Sequence, residues 1–321
     1  MVDEHIKFRH LQCFLAVAQH GSLQKAADVL SVTQPAVSKT LKDLESLLAV
    51  RLFERGRKGA ALTREGDAFM RHAGASVSAL RKAVASVAQT HSQGHVVITI
   101  GVLPTVAPWL MPQLLLRLDE QAANHADAES VSLRIETGSN PELLARLRQC
   151  QLDIVIGRFA EPVHMASLTF EHLYADPLVL AVRPGHPLLA PAVRSAATVA
   201  GLQGFTVILP TPGTAIRQTA DSFFLARGWP APVRMMETLS VSTARGYTLQ
   251  SDAVWVSPLG AVRPDLESAA LMQLPVNMNG TEELVGLTLR ADMVATGPQQ
   301  ELLAAIRLVA AGHRLASAEA E

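Results

Sequence analysis

The sequence predicts an α/β protein in three parts: a small helical module, one long helix, and a two-lobed region of strands and helices. Three observations support this fold class. Two short helical patterns separated by only three residues lie in Ser22–Glu45. A proline-free stretch with a regular apolar seam follows at residues 63–93. Beyond it, short β-rich segments alternate with helical stretches, which is typical of α/β packing with mostly parallel sheets.

Length and charge define the broad class. The chain has 321 residues, of which 49% are hydrophobic and 18% are charged, so we expect a globular protein with more than one domain. The net charge of −1 conceals an asymmetry, because residues 1–92 carry 13 Lys and Arg against 8 Asp and Glu. The remaining residues carry 15 against 21. A basic first part is typical of a module that meets a polyanion.

The N-terminus and the cysteines predict a cytoplasmic protein. The start, MVDEHIKFRH, has charges where a secretory signal needs an apolar core. No apolar run reaches the roughly 20 residues needed to span a bilayer, so we expect no membrane partner. Cys13 and Cys150 are the only cysteines, and in a reducing compartment both are expected to be buried and unpaired.

The first helix of the pair has a defined start and a single apolar stripe. Ser22 occupies the position of an N-cap. The apolar residues follow at i, i+3, i+4 and i+7, namely Leu23, Ala26, Ala27 and Leu30. The two adjacent alanines are small enough for another helix to cross closely. We therefore expect this helix to pack against its neighbours along one face.

The second helix separates an inward stripe from a polar face. Thr33 is placed to cap it, and Pro35 lies in its first turn, where a missing N–H costs nothing. The inward stripe consists of Val37, Leu41, Leu44 and Leu48; the polar face consists of Gln34, Ser38, Lys39 and Lys42. Glutamine pairs with adenine, and serine and lysine reach bases or phosphates. The polar face therefore suits a groove of DNA, although a solvated helix face has a similar composition.

The neighbouring segments favour DNA binding over a solvated face. The preceding FRHLQCFLAVAQHG is an amphipathic helix, the third helix that a helix-turn-helix core needs. The following RLFERGRKGAALT contains two short β-like runs around a tight turn. Four basic residues lie in or near this turn: Arg51, Arg55, Arg57 and Lys58. Such a cluster is typical of a wing that contacts phosphates or the minor groove.

About sixty continuous residues, from FRHLQCFL to LTREG, resemble the winged helix-turn-helix of LysR-type transcriptional regulators. The motifs that carry the resemblance are AA..L..TQPAVS..L..LE, LF.R and LT..G. The resemblance implies a regulator that binds promoter DNA, dimerises through a linker helix, commonly forms a tetramer and acts on RNA polymerase. It also implies a two-lobed effector domain like the type 2 periplasmic binding proteins, with a small co-inducer between the lobes.

The resemblance also implies which residues contact DNA. These are Gln34, Pro35, Ser38 and Lys39 in the base-reading helix, with Thr33 as its cap, Lys42 on the same face, and Arg55, Arg57 and Lys58 in the wing. Thr33 replaces the more usual serine but keeps a capping oxygen. Ala49 stands where a glycine usually ends this helix. Because a non-glycine residue in the left-handed conformation costs roughly 1 kcal/mol, we expect the helix to end differently.

The long helix predicts a dimer contact. Apolar or small residues recur with spacings of 3 and 4, at Phe69, Ala73, Val77, Leu80, Val84 and Val87. So narrow a seam is typical of a coiled coil and indicates a partner helix, although the helix could instead lie on its own domain. The expected domains are a DNA-binding domain at 1–65, a linker helix at 66–93 and an effector-binding domain at 94–321. Within the last, one lobe is expected at about 95–168 and 272–321, and the other at about 169–271.

Three loops are candidates for the effector site. They follow β-rich segments, in GVLPTVAP, TGSNPELL and ILPTPGTAIRQ, and their candidate residues are Thr105, Thr137, Ser139, Pro210 and Thr214. Each loop opens a helix, and free N–H groups at a helix N-terminus suit a carboxylate. Taken singly, each loop is better explained as an ordinary helix cap, whereas the family architecture favours Thr105 and Thr137 as site residues.

Arg158 has two possible roles. It follows a strand that looks buried, so it could supply a positive charge to an anionic effector or form a salt bridge between the lobes. Four segments further resemble the regulators of protocatechuate catabolism in the β-ketoadipate pathway: KFRHLQCFL, VTQPAVSKTLKDLE, FERGRKGAALT and HAGASVSALR. That resemblance implies a small carboxylate effector, an aromatic-derived di- or tricarboxylate, and control of aromatic catabolism genes.

The sequence does not predict an enzyme, a cofactor or a metal site. It contains no G-x-S-x-G elbow, P-loop, G-x-G-x-x-G motif or metal-spaced His and Cys cluster. A stand-alone solute-binding protein would share the two lobes but would not need residues 1–92. The alternative is a two-lobed solute-binding or enzymatic domain fused to a DNA-binding module and sensing a non-aromatic metabolite.

Overall fold

A computed structural model describes residues 5–56, 59–88, 96–124, 131–190 and 202–318. The N-terminal module comprises α1 (Phe8–His20), α2 (Leu23–Leu30), α3 (Gln34–Leu48), β1 (Phe53–Gly56) and β2 (Gly59–Leu62). The long helix α4 (Arg64–Ala88) follows it directly. In the described residues, no helix is both long enough and apolar enough to cross a membrane.

The rest of the chain alternates strands and helices. In chain order these are β3 (Val96–Val102), α5 (Ala107–Asn124), β4 (Val131–Thr137), α6 (Asn140–Arg148), β5 (Ile154–Arg158), β6 (Leu168–Asp176) and β7 (Leu178–Val182). They continue as β8 (Thr206–Leu209), α7 (Ala215–Ala226), β9 (Arg234–Glu237), α8 (Val241–Gln250), β10 (Val254–Pro258), α9 (Leu259–Glu267), β11 (Met272–Gln273), β12 (Glu283–Arg290) and α10 (Gly297–Ala318).

Two five-stranded sheets form from these strands in the part of the chain that the structure describes. One has the order β4-β3-β5-β12-β6 and defines the first lobe. The other has the order β11-β7-β10-β8-β9 and defines the second lobe. Strands β3, β4 and β5 are parallel, as the alternating pattern predicts, whereas β12 runs antiparallel to both of its neighbours.

The boundaries of the lobes differ from those expected. Strand β6 was expected to open the second lobe, but it pairs with β12 along its whole length, from Leu168 to Asp176. Strand β11 was expected in the first lobe, but it pairs with β7. The chain therefore passes from the first lobe to the second at Pro177 and returns to the first lobe between β11 and β12. The error arises because the partner of β6 lies more than 100 residues further along the chain.

The N-terminal module has a compact apolar core. Phe14 is fully buried, and its ring lies 5.3 Å from that of Phe53 and 5.0 Å from that of Phe69. It thus joins α1 to the hairpin and to α4. Ala26 and Ala27 are also fully buried, as their small size predicts for a close helix crossing.

The apolar seam of α4 is partly used within the chain itself. Phe69 and Ala73 belong to the core of the N-terminal module. Val77 is buried as well, whereas Leu80 is 46% exposed. The side chains of Val84 and Val87 lie outside the described residues. The start of the seam therefore packs on its own domain, as the alternative to a dimer contact predicted. Among the seam residues whose side chains are described, only Leu80 is exposed enough to contact a partner helix.

Helix α3 ends at Ala49 in the way a glycine would. Ala49 has φ 54° and ψ 27°, and its N–H bonds to the carbonyl oxygens of Glu45 and Ser46. The expectation that alanine would change this end is therefore wrong. The left-handed conformation costs roughly 1 kcal/mol. This cost is small beside the free energy that α3 gains by burying its apolar face.

Candidate DNA interface and effector site

The predicted base-reading face of α3 is exposed. Gln34, Pro35, Lys39 and Lys42 are all exposed, and Ser38 is half-buried. The opposite stripe, Val37, Leu41 and Leu44, is at most 1% exposed. Buried aliphatic side chains thus hold the helix to the core while its polar face points outward. This arrangement leaves the first two turns of α3 accessible to a groove of DNA.

Thr33 lies at the N-cap of α3 but does not cap it with its side chain. Its backbone is extended, with φ −82° and ψ 149°, and its backbone carbonyl accepts the N–H of Val37. No hydrogen bond from its hydroxyl closes the helix start, so the predicted capping role is wrong. A side-chain cap accepts from the second or third helical N–H. The second residue here is Pro35, which has no N–H.

The tip of the predicted wing lies only partly within the described residues. The hairpin β1–β2 is present, and Arg51 before it is exposed. The side chain of Arg55 and the whole of Arg57 and Lys58 lie outside the described residues. Their contact with phosphates remains a prediction.

A small cavity lies between the two lobes. It is lined by residues that include Thr105, Pro210, Thr238, Ser240, Trp255 and Ser257. Its free volume is about 20 Å³, enough for one water molecule. Thr105 precedes α5 in the first lobe, and Ser240 is the N-cap of α8 in the second lobe. Two helix N-termini from different lobes therefore border the same space.

Arg158 is a buried partner of Asp176 rather than an exposed cation. One guanidinium nitrogen, Nη2, lies 2.7 Å from Asp176 Oδ2, and the other, Nη1, donates to Thr105 Oγ1 at 2.8 Å. The side chains of Arg158 and Asp176 are 3% and 0% exposed. Asp176 Oδ1 also accepts the N–H of Gly260 from the second lobe. Because β5 and β6 belong to the same sheet, the Arg158–Asp176 salt bridge lies within the first lobe rather than between the lobes, and only the hydrogen bond from Gly260 crosses to the second lobe.

The hydroxyl of Thr105 keeps a donor toward the cavity. Its oxygen accepts from Arg158, so its own hydrogen is still able to donate to a second group. Pro210 also lines the cavity, and its carbonyl accepts from Arg217 Nη1 at 3.1 Å. These two predicted residues are therefore brought together across the lobes.

The other predicted effector residues do not line this cavity. Thr137 ends β4 and is exposed, and Ser139 is an exposed N-cap of α6 without a side-chain cap bond. Thr214 caps α7: its hydroxyl accepts the N–H of Arg217 and donates to the carbonyl of Thr211. An ordinary helix cap is thus sufficient to explain Thr214.

Two comparisons with protein families match most of the chain. Residues 8–67 match the bacterial regulatory helix-turn-helix protein of the lysR family, and residues 91–311 match the LysR substrate binding domain. The chain belongs to the LysR family of transcriptional regulators. It is a DNA-binding regulator with an effector-binding domain, and the predicted family and fold class are confirmed.

Relatives of this LysR-family regulator match it over almost its full length. The HTH-type transcriptional regulator PcaQ of Agrobacterium fabrum is 41% identical over 308 residues, covering 96% of both chains. The HTH-type transcriptional regulator YdcI of Escherichia coli K12 is 38% identical over 307 residues, covering 96% of this chain and 97% of YdcI. These relatives are transcriptional regulators.

Solved structures show the same fold. ArgP from Mycobacterium tuberculosis has a TM-score of 0.62 at 15% identity, covering 94% of this chain and 97% of its own. Full-length LysG from Corynebacterium glutamicum with bound effector Arg has a TM-score of 0.59 at 16% identity, covering 96% and 99%.

The family motifs have a physical explanation in this LysR regulator. Glu45 Oε1 accepts the N–H groups of Leu52 at 2.8 Å and Phe53 at 3.3 Å, so the base-reading helix holds the first strand of the wing. The Thr63 hydroxyl donates to the carbonyl of Arg51 and accepts the N–H of Gly66. Thr63 thereby caps the first turn of α4. A Cβ atom on Gly66 would lie only 2.2 Å from the Leu52 carbonyl oxygen. The motifs therefore fix the hairpin β1–β2 and the linker helix α4 to α3.

Sequence reasoning predicted only Thr105 and Pro210 of the cavity lining, and among the residues that it missed are Thr238 and Ser240. They lie where β9 meets α8, and Ser240 Oγ accepts the N–H of Thr243 at 3.3 Å. Half of the signal was present, because the segment TLSVST places a serine at an N-cap position before a helical stretch. The run RMME is short and only partly apolar, so it does not read as a strand.

Neither metal binding nor thiol chemistry is indicated in the described residues. No group of three or more His, Cys, Asp or Glu side chains there is arranged to hold a metal ion. Both cysteines are buried and neither forms a disulfide, as predicted. Burial raises the pKa of the Cys13 thiol to about 11, so this thiol is protonated at neutral pH and a poor nucleophile.

Proposed function

We propose that this LysR-family regulator controls genes of protocatechuate or closely related aromatic catabolism. Support comes from its identity of 41% with PcaQ and from the four segments that resemble regulators of protocatechuate catabolism. A small carboxylate bound between the lobes would change its binding to promoter DNA. The observation that carries the effector site is the cavity bordered by Thr105 and Ser240.

The chemistry of the cavity favours an effector of low charge. Hydroxyl groups and the N-termini of α5 and α8 supply donors with partial positive charge, which suit a carboxylate. Two guanidinium groups bond to lining residues, and both are paired with carboxylates: Arg158 with Asp176, and Arg217 with Asp221 and Glu237. A tricarboxylate would therefore lack a full positive partner among the described lining residues. A monoanionic hydroxylated aromatic acid such as protocatechuate fits this lining better.

Binding of such an acid requires the lobes to separate. The cavity holds about 20 Å³, whereas an aromatic acid of about ten heavy atoms needs far more space. The two chain crossings, at Pro177 and between β11 and β12, are the places where the lobes can rotate. Effector binding would thus change the arrangement of the lobes rather than fill an open cleft.

DNA binding would use the exposed face of α3 and the wing. A dimer formed through the later part of α4 would place two such modules on a promoter, and a dimer of dimers would hold two half-sites and bend the DNA between them. The change in bend would alter access for RNA polymerase. We further propose that the protein acts in the cytoplasm, without catalysing a reaction and without a cofactor other than its effector.

The effector site is tested with thermal denaturation in the presence of protocatechuate and of 3-carboxymuconate. We expect protocatechuate to raise the melting temperature of the wild-type protein and the tricarboxylate to raise it less. Thr105→Val should weaken protocatechuate binding at least tenfold, since a hydrogen bond to a charged group contributes about 1.5–3 kcal/mol. Thr169→Val, an exposed threonine on β6, is the matched control.

Two results would contradict this proposal. Absence of any shift with either acid would remove the aromatic effector. A shift of equal size in Thr105→Val and in the wild type would remove the interlobe cavity as its site.

A further inference from the structure

Helix α6 contacts a different functional region of the chain at each of its ends. Its first residue, Asn140, bonds to Arg158 behind the interlobe cavity. Gln149, which follows its last residue, meets the linker helix α4 at Gly74. Nine helical residues span about 13 Å, so the two contacts are connected by one short rigid element.

The contact at the cavity end is tight. Asn140 Nδ2 donates to the carbonyl of Arg158 at 2.9 Å, and Arg158 in turn donates to Thr105 at the cavity wall. A Cβ atom on Gly157 would lie 2.5 Å from Asn140 Oδ1, so the amide of Asn140 packs directly on the backbone of β5. A displacement of the β5 backbone at Arg158 therefore has to move Asn140 as well.

The contact at the linker end is also close. Gly74 is buried, and a Cβ atom on it would lie 3.2 Å from the carbonyl oxygen of Gln149. Burial lowers the pKa of Arg148, and the negative charge of Asp67 on the first turn of α4 opposes that lowering. The two helices thus meet through backbone packing and through a favourable charge interaction.

The body of α6 is fixed in the first lobe. Leu143, Leu144 and Leu147 are at most 1% exposed and belong to the core of that lobe. Arg148 Nη1 also donates to the carbonyl of His164 at 2.9 Å. A helix held along one side and in contact at both ends moves as a unit, because packed interiors transmit strain.

We propose that α6 couples the interlobe cavity to the DNA-binding module within a single chain. A shift of Arg158 moves α6, and the contact between Gln149 and Gly74 passes that movement to α4. Helix α4 starts directly after the wing, to which Thr63 and Gly66 join it. The proposal rests on the family's DNA-binding role and does not depend on which effector the cavity takes.

A double-mutant cycle tests the coupling without an effector. Wild-type protein first selects a duplex from a random-sequence library, and fluorescence anisotropy at one salt concentration then measures the Kd of each variant for it. Asn140→Asp replaces the donor to Arg158 at constant size, and Gly74→Ala introduces the methyl group that meets Gln149. Because these sites do not touch, independent effects would multiply to within about twofold. We expect the double variant to depart from that product by at least about fivefold.

The control cycle uses Ser76→Ala, an exposed residue on the same helix. It raises helix propensity as Gly74→Ala does but does not contact Gln149. Its effect should multiply with that of Asn140→Asp to within about twofold. Multiplicative behaviour in the Gly74 cycle, or equal coupling in both cycles, would overturn the proposal. So would a Kd unchanged by either single substitution.

A second pair of variants applies if Gly74→Ala does not fold, which its melting curve reveals. Asp67→Asn removes the charge that acts on Arg148. Glu65→Gln removes an exposed acid from the same first turn and serves as its control. The proposal is supported if Asn140→Asp couples to Asp67→Asn but not to Glu65→Gln. It is overturned if Asn140→Asp and Asp67→Asn act independently.

Discussion

Arg158 and Asp176 form an ion pair at the point where the chain passes from the first lobe to the second. The two side chains are 2.7 Å apart and are almost completely shielded from solvent, at 3% and 0% exposure. The carboxylate also accepts the N–H of Gly260, at the start of α9. A pair that is stable only when both charges are present thus joins three segments of the effector domain.

Substituting Asp176→Asn should strongly destabilise the effector domain. The guanidinium of Arg158 would remain buried without a counter-charge, a situation that costs about 3–5 kcal/mol. Urea unfolding followed by tryptophan fluorescence measures the loss. Asp221→Asn is the matched control, because Asp221 also pairs with an arginine but is 55% exposed. Asp221→Asn should lower the free energy of unfolding by less than about 1 kcal/mol. Equal losses in the two variants would contradict the explanation that burial makes the Arg158–Asp176 pair costly to break.

Gly66→Ala should disrupt the junction between the wing and the linker helix. The added methyl carbon would lie 2.2 Å from the Leu52 carbonyl oxygen, so the backbone must move at a cost of about 1–3 kcal/mol. Gly246→Ala is the control, since no atom outside the neighbouring backbone of α8 lies within 4 Å of its added methyl group. That variant should gain about 0.5–1 kcal/mol. Thermal unfolding measures both, and a neutral Gly66→Ala would contradict the tight junction.

Gln34→Ala and Lys42→Ala should affect DNA binding in different ways. Gln34 is predicted to read a base, so its loss should relax sequence preference by about 1–3 kcal/mol at one position. Lys42 is predicted to contact phosphate, so its loss should weaken all sequences alike and reduce the salt slope by about 1. Binding to selected and scrambled duplexes over a series of salt concentrations distinguishes them. Equal losses of Gln34→Ala on both duplexes would contradict base reading by α3.

His186 should make the second lobe sensitive to acid. Its Nδ1 accepts the N–H of Leu188, so Nε2 carries the proton and donates to the carbonyl of Asp252. Burial lowers the pKa of His186 below 6.5. The neutral ring therefore contributes stability above pH 6.5, and this stability is lost as the pH falls through the lower pKa of the folded state.

The free energy of unfolding at pH 8, 6.5 and 5.5 tests this dependence. His186→Gln should lower stability at pH 8 but flatten the decline below pH 6.5. His172→Gln, which changes an exposed histidine on β6, should leave the decline as in the wild type. A decline that persists unchanged in His186→Gln would assign the acid sensitivity to another group.

Local patterns predicted the N-terminal module well. Ser22 does accept the N–H of Lys25, and the stripe of α3 is buried, because capping and helical periodicity depend on residues only a few positions apart. The capping role of Thr33 was wrong because Pro35 removes one of the two N–H groups that a cap can use. The lobe boundaries were wrong because strand pairing does not follow from nearby residues.

The sequence by itself determined the family, the order of strands and helices and the polar face of α3, because short contiguous segments encode each of them. Only the tertiary structure decided the partner of Arg158, the cavity lined by Thr105 and Ser240, and the contact of α6 with the linker helix. Asp176 lies 18 residues from Arg158 and Gly260 a further 84 residues away. Such contacts form because folding brings distant segments together, and no local pattern encodes them.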